Sequence, residues 1–298
     1  MNRAALQRNT LIGFVTSIVL AAVKFVAGWL GHSTALLADA IESLADTFGS
    51  VLVWQALRLA SRPADRRYPY GYGKAEALAS LGIGSLLVLA AIMIVSESVQ
   101  QIATPHAAPA PWTLIVLLGV IAVKEILFRI VERGARTHDS DAARADAWHH
   151  RADAITSLAA LLGVSIAIYC PPFFGIAELV MADEVAAILA SGVILWTARG
   201  LIGPALQELL DADMPEIGDR IQAIVLRLEG VVAIEQVLVR KSGAGYLADM
   251  HLHVLADTTV RSAHDLTGKV KATLRREMPS LNTILIHVEP AESAGDKA

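Results

Sequence analysis

Ala77–Ile102 reads ALASLGIGSLLVLAAIMIVSESVQQI. A helix needs about 20 predominantly apolar residues to cross a bilayer's hydrocarbon core, and this run is long enough. Working outward from it, five further segments read the same way: Thr10–Gly31, Thr34–Leu59, Trp112–Val131, Ala142–Tyr169 and Glu184–Leu206. The second and fifth of the six are the least apolar, because each carries carboxylates near its middle or entry. The expected architecture is therefore a polytopic α-helical membrane protein with six transmembrane helices over residues 1–210.

The composition agrees. The chain is 54% hydrophobic and only 18% charged, with a mean hydropathy of +0.51, well above ordinary soluble domains. A net charge of −4 argues against a nucleic-acid partner. Cys170 is the only cysteine, which excludes an intrachain disulfide framework and any Cys-rich zinc module. The basic start, Met1 to Asn9, precedes a long apolar segment with no small-residue cleavage site, so that segment reads as a retained span rather than a signal peptide.

The connections set the orientation. Arg62, Arg66, Arg67 and Lys74 follow the second span, and Arg133 and Arg136 follow the fourth. The links Gly31–Ser33, Ala103–Pro111 and Cys170–Asp183 carry no Lys or Arg. The positive-inside rule places both basic loops and both termini in the cytoplasm, with the spans in the cell (inner) membrane.

Beyond Leu210 the pattern becomes that of a soluble domain, residues 211–291. Pro215–Gly230 is an amphipathic helix with Ile217, Ile221, Ile224, Val225 and Leu228 on one side. Val231–Arg240 and Tyr246–Leu255 alternate as a strand pair joined by Ser242-Gly243-Ala244-Gly245. Ser262–Met278 is a second helix and Leu281–Val288 a last strand. The order α-β-β-α-β predicts a small two-layer, ferredoxin-like α+β domain with its helices on one sheet face. Residues 292–298 read as a disordered tail.

Two short patterns carry chemistry. Glu42-Ser43-Leu44-Ala45-Asp46 lies in the second span and His149-His150-Arg151-Ala152-Asp153 in the fifth. Residues four apart share a helix face, so Glu42 and Asp46 project together, as do His149 and Asp153. Two such faces brought together offer a four-ligand nitrogen and oxygen set suited to zinc and its neighbours. Ionisable groups inside a membrane are costly, and these acids have no lysine near them in sequence, so a cation is the expected neutralising partner. Asp39, one turn before Glu42, is expected to orient a ligand rather than bind. His150 lies round the helix from His149 and is expected at an interface. Lys24, Lys124 and Glu125 also lie in spans and are assigned to packing, Lys124 being able to snorkel or to pair with a neighbouring acid.

In the soluble domain, His251 and His253 share one strand face, and so do His287 and Glu289, with Glu235 on the first strand. Spacing alone leaves metal binding and a plain polar sheet face equally open. Tyr68, Tyr70 and Tyr72 at the end of the first basic loop read as interfacial anchors.

In their order, these motifs make the chain resemble the cation diffusion facilitator family over nearly its whole length. Ala35-Leu36-Leu37-Ala38-Asp39-Ala40, Gly71-Tyr72-Gly73-Lys74-Ala75-Glu76, His149-His150-Arg151-Ala152-Asp153-Ala154, Leu209-Leu210-Asp211 and Ile286-His287-Val288-Glu289-Pro290 carry the likeness. The resemblance implies a homodimeric antiporter exporting a divalent metal, zinc first, with iron, cobalt or cadmium as companions, in exchange for protons. It implies a transport site on Glu42, Asp46, His149 and Asp153, where Glu42 replaces the Asp usual in zinc and iron exporters. It implies a cytosolic metal site on Glu235, His251, His287 and Glu289, with metal there as a regulatory ligand, and a Lys74–Asp211 charge contact across the dimer. A further family site in the first loop falls on Asp65, Tyr68 and Tyr72. Neutral tyrosines are poor zinc ligands, so that site is expected to be lost. No organic cofactor is expected, and no nucleophile or general-base motif supports a membrane metalloenzyme. The remaining alternative is a membrane metal sensor without flux.

Overall fold

The computed structural model describes residues 3–104, 107–138 and 141–291, and their side chains apart from those of residues 3–13, 50, 53, 134–138, 141–150, 152 and 177. The expected tail, 292–298, lies outside the described residues. Six long helices come first: α1 (Arg3–Gly31), α2 (Thr34–Ala60), α3 (Ala75–Ala103), α4 (Trp112–His138), α5 (Asp141–Phe174) and, after a 3-10 turn, α6 (Ala182–Leu209). Then follow α7 (Pro215–Val225), β1 (Ala233–Ser242), β2 (Gly245–Val254), α8 (Val260–Glu277) and β3 (Leu281–Pro290). The chain divides into two compact units, residues 1–52 with 82–202, and residues 53–81 with 203–298.

Among the described residues, four helical stretches are long and apolar enough to cross a membrane: Phe14–Gly31, Ala75–Ala103, Asp153–Phe174 and Glu178–Leu209. The helices α2 and α4 are of similar length but carry Asp39, Glu42 and Asp46, and Lys124, Glu125 and Arg129. In the first unit, Leu36, Leu117, Val164 and Ile194 form a buried centre with several alanines. Large apolar side chains such as Trp29, Leu86, Met93, Ile115, Leu162 and Trp196 point outward. Apolar outside as well as inside is the pattern of a helical bundle solvated by lipid. Small residues let the helices approach. A Cβ on Gly84 would fall 2.5 Å from Ile202, and one on Gly163 would collide with Ala186.

The α1–α2 connection is fixed by a residue far along the chain. Buried Asp183, at the start of α6, accepts hydrogen bonds from Ser33 Oγ (2.8 Å), Thr34 N (2.6 Å) and Thr34 Oγ1 (3.0 Å). It thus supplies in trans the acidic cap that the first turn of α2 lacks.

The second unit has its own core. Its sheet has the order β1-β2-β3, with β1 and β2 antiparallel and β2 and β3 parallel. Ile221 and Val225 of α7 and Val270 and Leu274 of α8 pack with Val239, Met250 and Leu252 of the strands. The α-β-β-α-β order and the one-sided helix layer are present, on three strands among the described residues. Pro215 at the first turn starts α7. Thr259 caps α8 by accepting from Ser262 N, and Arg275 and Arg276 sit at its negative end. Gly243, at φ +60°, makes the β1–β2 turn, where a side chain would be strained.

In the same unit Lys74 Nζ lies 2.7 Å from Asp211 Oδ1. Asp211 ends α6 in the left-handed region (φ 55°), and Ala212 N closes back onto Gln207 O. The contact forms within one chain, where the resemblance implied it across a dimer.

Candidate metal centres

Glu42 lies on α2 within electrostatic reach of Asp46, Asp39, Asp153 and Lys24. Asp39 and Glu42 line a cavity of about 160 Å³ with Thr156, Ala159 and Ala160 of α5 and Ala186, Leu189, Ala190 and Val193 of α6. The two acid-bearing helices therefore do face a common space. Asp153 and Asp39, with no lysine near them in sequence, find one on another helix, which overturns the expectation that only a bound cation would neutralise them. Lys124 of α4 is 2.5 Å from Asp153 Oδ2, and Lys24 of α1 is 2.9 Å from Asp39 Oδ2. Both lysines are buried, at 2% and 0% exposure. Neither is packing filler: of the two alternatives open to Lys124, it pairs with a neighbouring acid rather than snorkelling. A buried ammonium needs a counter-charge, and in each case it comes from a neighbouring helix.

Hydroxyls complete both pairs. Lys124 Nζ also donates to Ser17 Oγ (3.2 Å) and Lys24 Nζ to Ser43 Oγ (3.0 Å). Ser157 Oγ donates to Asp39 Oδ2 at 2.8 Å. Asp39 Oδ1 is buried without a hydrogen-bond partner. Asp39 is thus held by Lys24 and Ser157.

Glu42, Asp46 and Asp153 do not bring one donor atom each into a single group within 4.8 Å. Among the described residues the one group of three or more that converges so closely is Glu235, His253 and Glu289. The side chains of His149 and His150 lie outside the described residues.

The soluble domain assembles its cluster on the sheet face opposite the helices. Register places His251 beside His287 and His253 beside Glu289. A bulge between Ile234 and Gln236 leaves Glu235 out of the ladder and turns it toward the same face. His251 Nδ1 lies 2.8 Å from Glu289 Oε1, and His287 Nε2 3.3 Å from that oxygen. His253 Nε2 is 3.6 Å from Glu235 and 3.5 Å from Glu289, yet is buried with no hydrogen bond. An imidazole nitrogen aimed between two carboxylates fits a metal ligand. Burial acts upward on the Glu289 carboxyl, but the His251 hydrogen bond and the charges of His251, His287 and His253 hold it below its ordinary range. His253 was absent from the expected ligand set, although its parity with His251 on β2 was legible.

The first loop is occupied by its own contacts. Tyr72 Oη donates to Asp65 Oδ2 (2.6 Å), and the N–H groups of Arg67 and Tyr68 donate to Oδ1 (2.8 Å each). The Tyr68 and Tyr72 rings pack 4.6 Å apart.

Residues 10–210 match the cation efflux transmembrane domain, and residues 214–291 match the cation efflux protein cytoplasmic domain. The chain is 29% identical to the manganese efflux system protein MneP of Bacillus subtilis (strain 168), over 95% of this chain and 96% of that protein. It is 30% identical to metal tolerance protein 2 of Oryza sativa subsp. japonica, over 95% of this chain and 78% of that protein. Among solved structures, the copper form of the MamM C-terminal domain covers 28% of this chain and 92% of its own, at 26% identity and a TM-score of 0.26. With both family domains in order along nearly the whole chain, this multi-pass membrane protein belongs to the cation diffusion facilitator family.

Proposed function

We propose that the chain exports a divalent transition-metal ion from the cytoplasm in exchange for protons, as a homodimer in the cell (inner) membrane. All six long helices span, and both termini face the cytoplasm. The observation that carries this reading is the set of carboxylates, Asp39, Glu42, Asp46 and Asp153, within an apolar helical bundle. Acids in such a layer are expensive, and even where a lysine pairs with them, as with Asp39 and Asp153, they mark ion and proton pathways. Glu42, Asp46, His149 and Asp153 bind the ion, and Asp39 orients them.

The chemistry is competition. A metal needs neutral imidazole and ionised carboxylates, so loading expels protons and protonation expels metal. His149 responds near neutral pH because imidazole titrates there. Helix rearrangement changes which side reaches the site. Metal on Glu235, His251, His253, His287 and Glu289 biases that change if it binds one arrangement better.

Zinc is the first candidate substrate, from one imidazole among carboxylates. Manganese is the second, favoured by the relative named as a manganese exporter and by the longer reach of Glu42. Flux of both ions into proteoliposomes tests the reading. Wild type should move at least one, and Asp46→Ala and Asp153→Ala should abolish transport in folded protein. Binding without flux would instead support a membrane sensor.

A further inference from the structure

We propose that Lys124 is a built-in competitor for the transported ion: its ammonium holds the Asp153 carboxylate until a divalent cation takes that oxygen from it. The inference rests on Asp153 being a ligand of the ion.

The geometry supplies each part. Lys124 comes from α4, Asp153 from α5 and Ser17 from α1, so three helices meet at one ammonium. At 2.5 Å from Oδ2 the ammonium occupies one acceptor position of the carboxylate and offsets the charge that would attract a metal. An ammonium and a dication sharing one carboxylate in a low-dielectric layer also repel each other strongly. That repulsion favours loading with the ammonium moved off Oδ2. Ser17 Oγ, 3.2 Å away, gives it a second acceptor, so the displaced cation remains hydrogen-bonded. The lysine stem is flexible enough for that shift.

Lys24 is built differently. It is tied to Asp39 and Ser43 at 0% exposure, and Asp39 supports the site without being one of its proposed ligands. One lysine thus fixes the surroundings, and the other sits on a ligand.

The consequence is a site tuned for turnover rather than tight capture. Lys124 weakens metal binding, and on release its return leaves no bare carboxylate. Removing the ammonium should make the site bind more tightly and let go more slowly.

The test uses the purified full chain, with zinc(II) and manganese(II) each titrated calorimetrically in detergent and followed as flux in proteoliposomes. Lys124→Met should tighten the Kd of the better-bound ion by at least about tenfold, lowering both KM and kcat. Lys124→Gln, which keeps a hydrogen-bonding group for Ser17, should do the same. Lys124→Arg retains the charge and should stay within about threefold of wild type. Unchanged or weaker binding in folded Lys124→Met and Lys124→Gln, while Asp153→Asn loses binding, overturns the role of Lys124 and leaves the ligand assignment standing. If both neutral variants fail to fold while Lys124→Arg folds, the lysine is structural and the proposal fails. Wild-type affinity in Asp153→Asn removes the ligand assignment and the proposal together.

Discussion

Lys24 and Asp39 meet at 2.9 Å inside the helical bundle, with side-chain exposures of 0% and 2%. Ser43 takes another Lys24 proton at 3.0 Å, while Asp39 Oδ1 has no hydrogen-bond partner. Asp39 and Ser43 are one α-helical turn apart on α2, so Lys24 clamps α1 to the acid-bearing face of α2. The clamp fixes where Glu42, between the two, can project.

Breaking that pair should be costly. A buried ion pair that loses one partner leaves an uncompensated charge, at about 3–5 kcal/mol. We expect Lys24→Met and Asp39→Leu each to lower the melting temperature of the detergent-solubilised protein substantially. The double variant, with neither charge, should regain most of the loss. A double variant no more stable than the singles would show that the two residues do not act as a pair.

The first loop should carry no structural metal, because its acid is already engaged. Asp65 is held below the usual carboxylate range, first by the Tyr72 hydroxyl and then by backbone N–H groups of Tyr68 and Arg67. The same bond pushes the Tyr72 phenol above its usual value. The depressed acid contributes stability that is present above its unfolded pKa and lost as pH falls through its folded one. The raised phenol contributes stability that is present below about pH 10 and lost as pH rises through its folded value. The loop's contribution should therefore be flat around neutrality. Phenolate absorbance should show one tyrosine titrating late, and Tyr72→Phe should remove it. Metal analysis of a variant lacking the other proposed ligands should read near zero.

In the soluble domain, His253 should matter as much as His251 and His287. The segment 212–298 contains a complete core and should be a soluble dimer stabilised by zinc. A ligand at a hundredfold over its Kd stabilises by about 2.7 kcal/mol, which a melt resolves. The zinc-dependent rise should shrink in His253→Ala, because that imidazole lies between Glu235 and Glu289. A full zinc response in His253→Ala would return the site to His251 and His287.

What could be read from sequence was what has a local period. The apolar runs, the α7 face of Ile217, Ile221 and Ile224, and the parity of His251 with His253 all repeat at helical or strand spacing. Lys124 and Asp153 are 29 residues apart on different helices, and no periodicity relates such positions. Local spacing therefore left Lys24 as packing and allowed Lys124 to snorkel or pair with an acid it could not name. Glu235 was legible only as a strand residue. Its approach to His253 depends on a bulge beside it, which shifts one residue out of the period-2 pattern. Asp183 was invisible as a cap because its helix end lies 149 residues from the one it caps.

Selectivity should turn on His149. Hard ions such as manganese prefer all-oxygen, six-coordinate shells, while imidazole and a four-ligand cage favour zinc. With one imidazole and three carboxylates, the proposed site should carry zinc well and manganese poorly. Glu42 works against this, because its extra methylene can enlarge the cage or let both oxygens bind one ion. His149→Asp makes the ligand set all-oxygen and should shift preference toward manganese. It should also move the pH dependence of transport downward, because the group that titrates nearest neutrality is gone. Competitive flux of zinc against manganese in proteoliposomes, wild type beside His149→Asp across a range of pH, measures both effects. Manganese preference in wild type, or a variant unchanged in selectivity and pH profile, would remove His149 from the ligand set and leave the three carboxylates to define the ion.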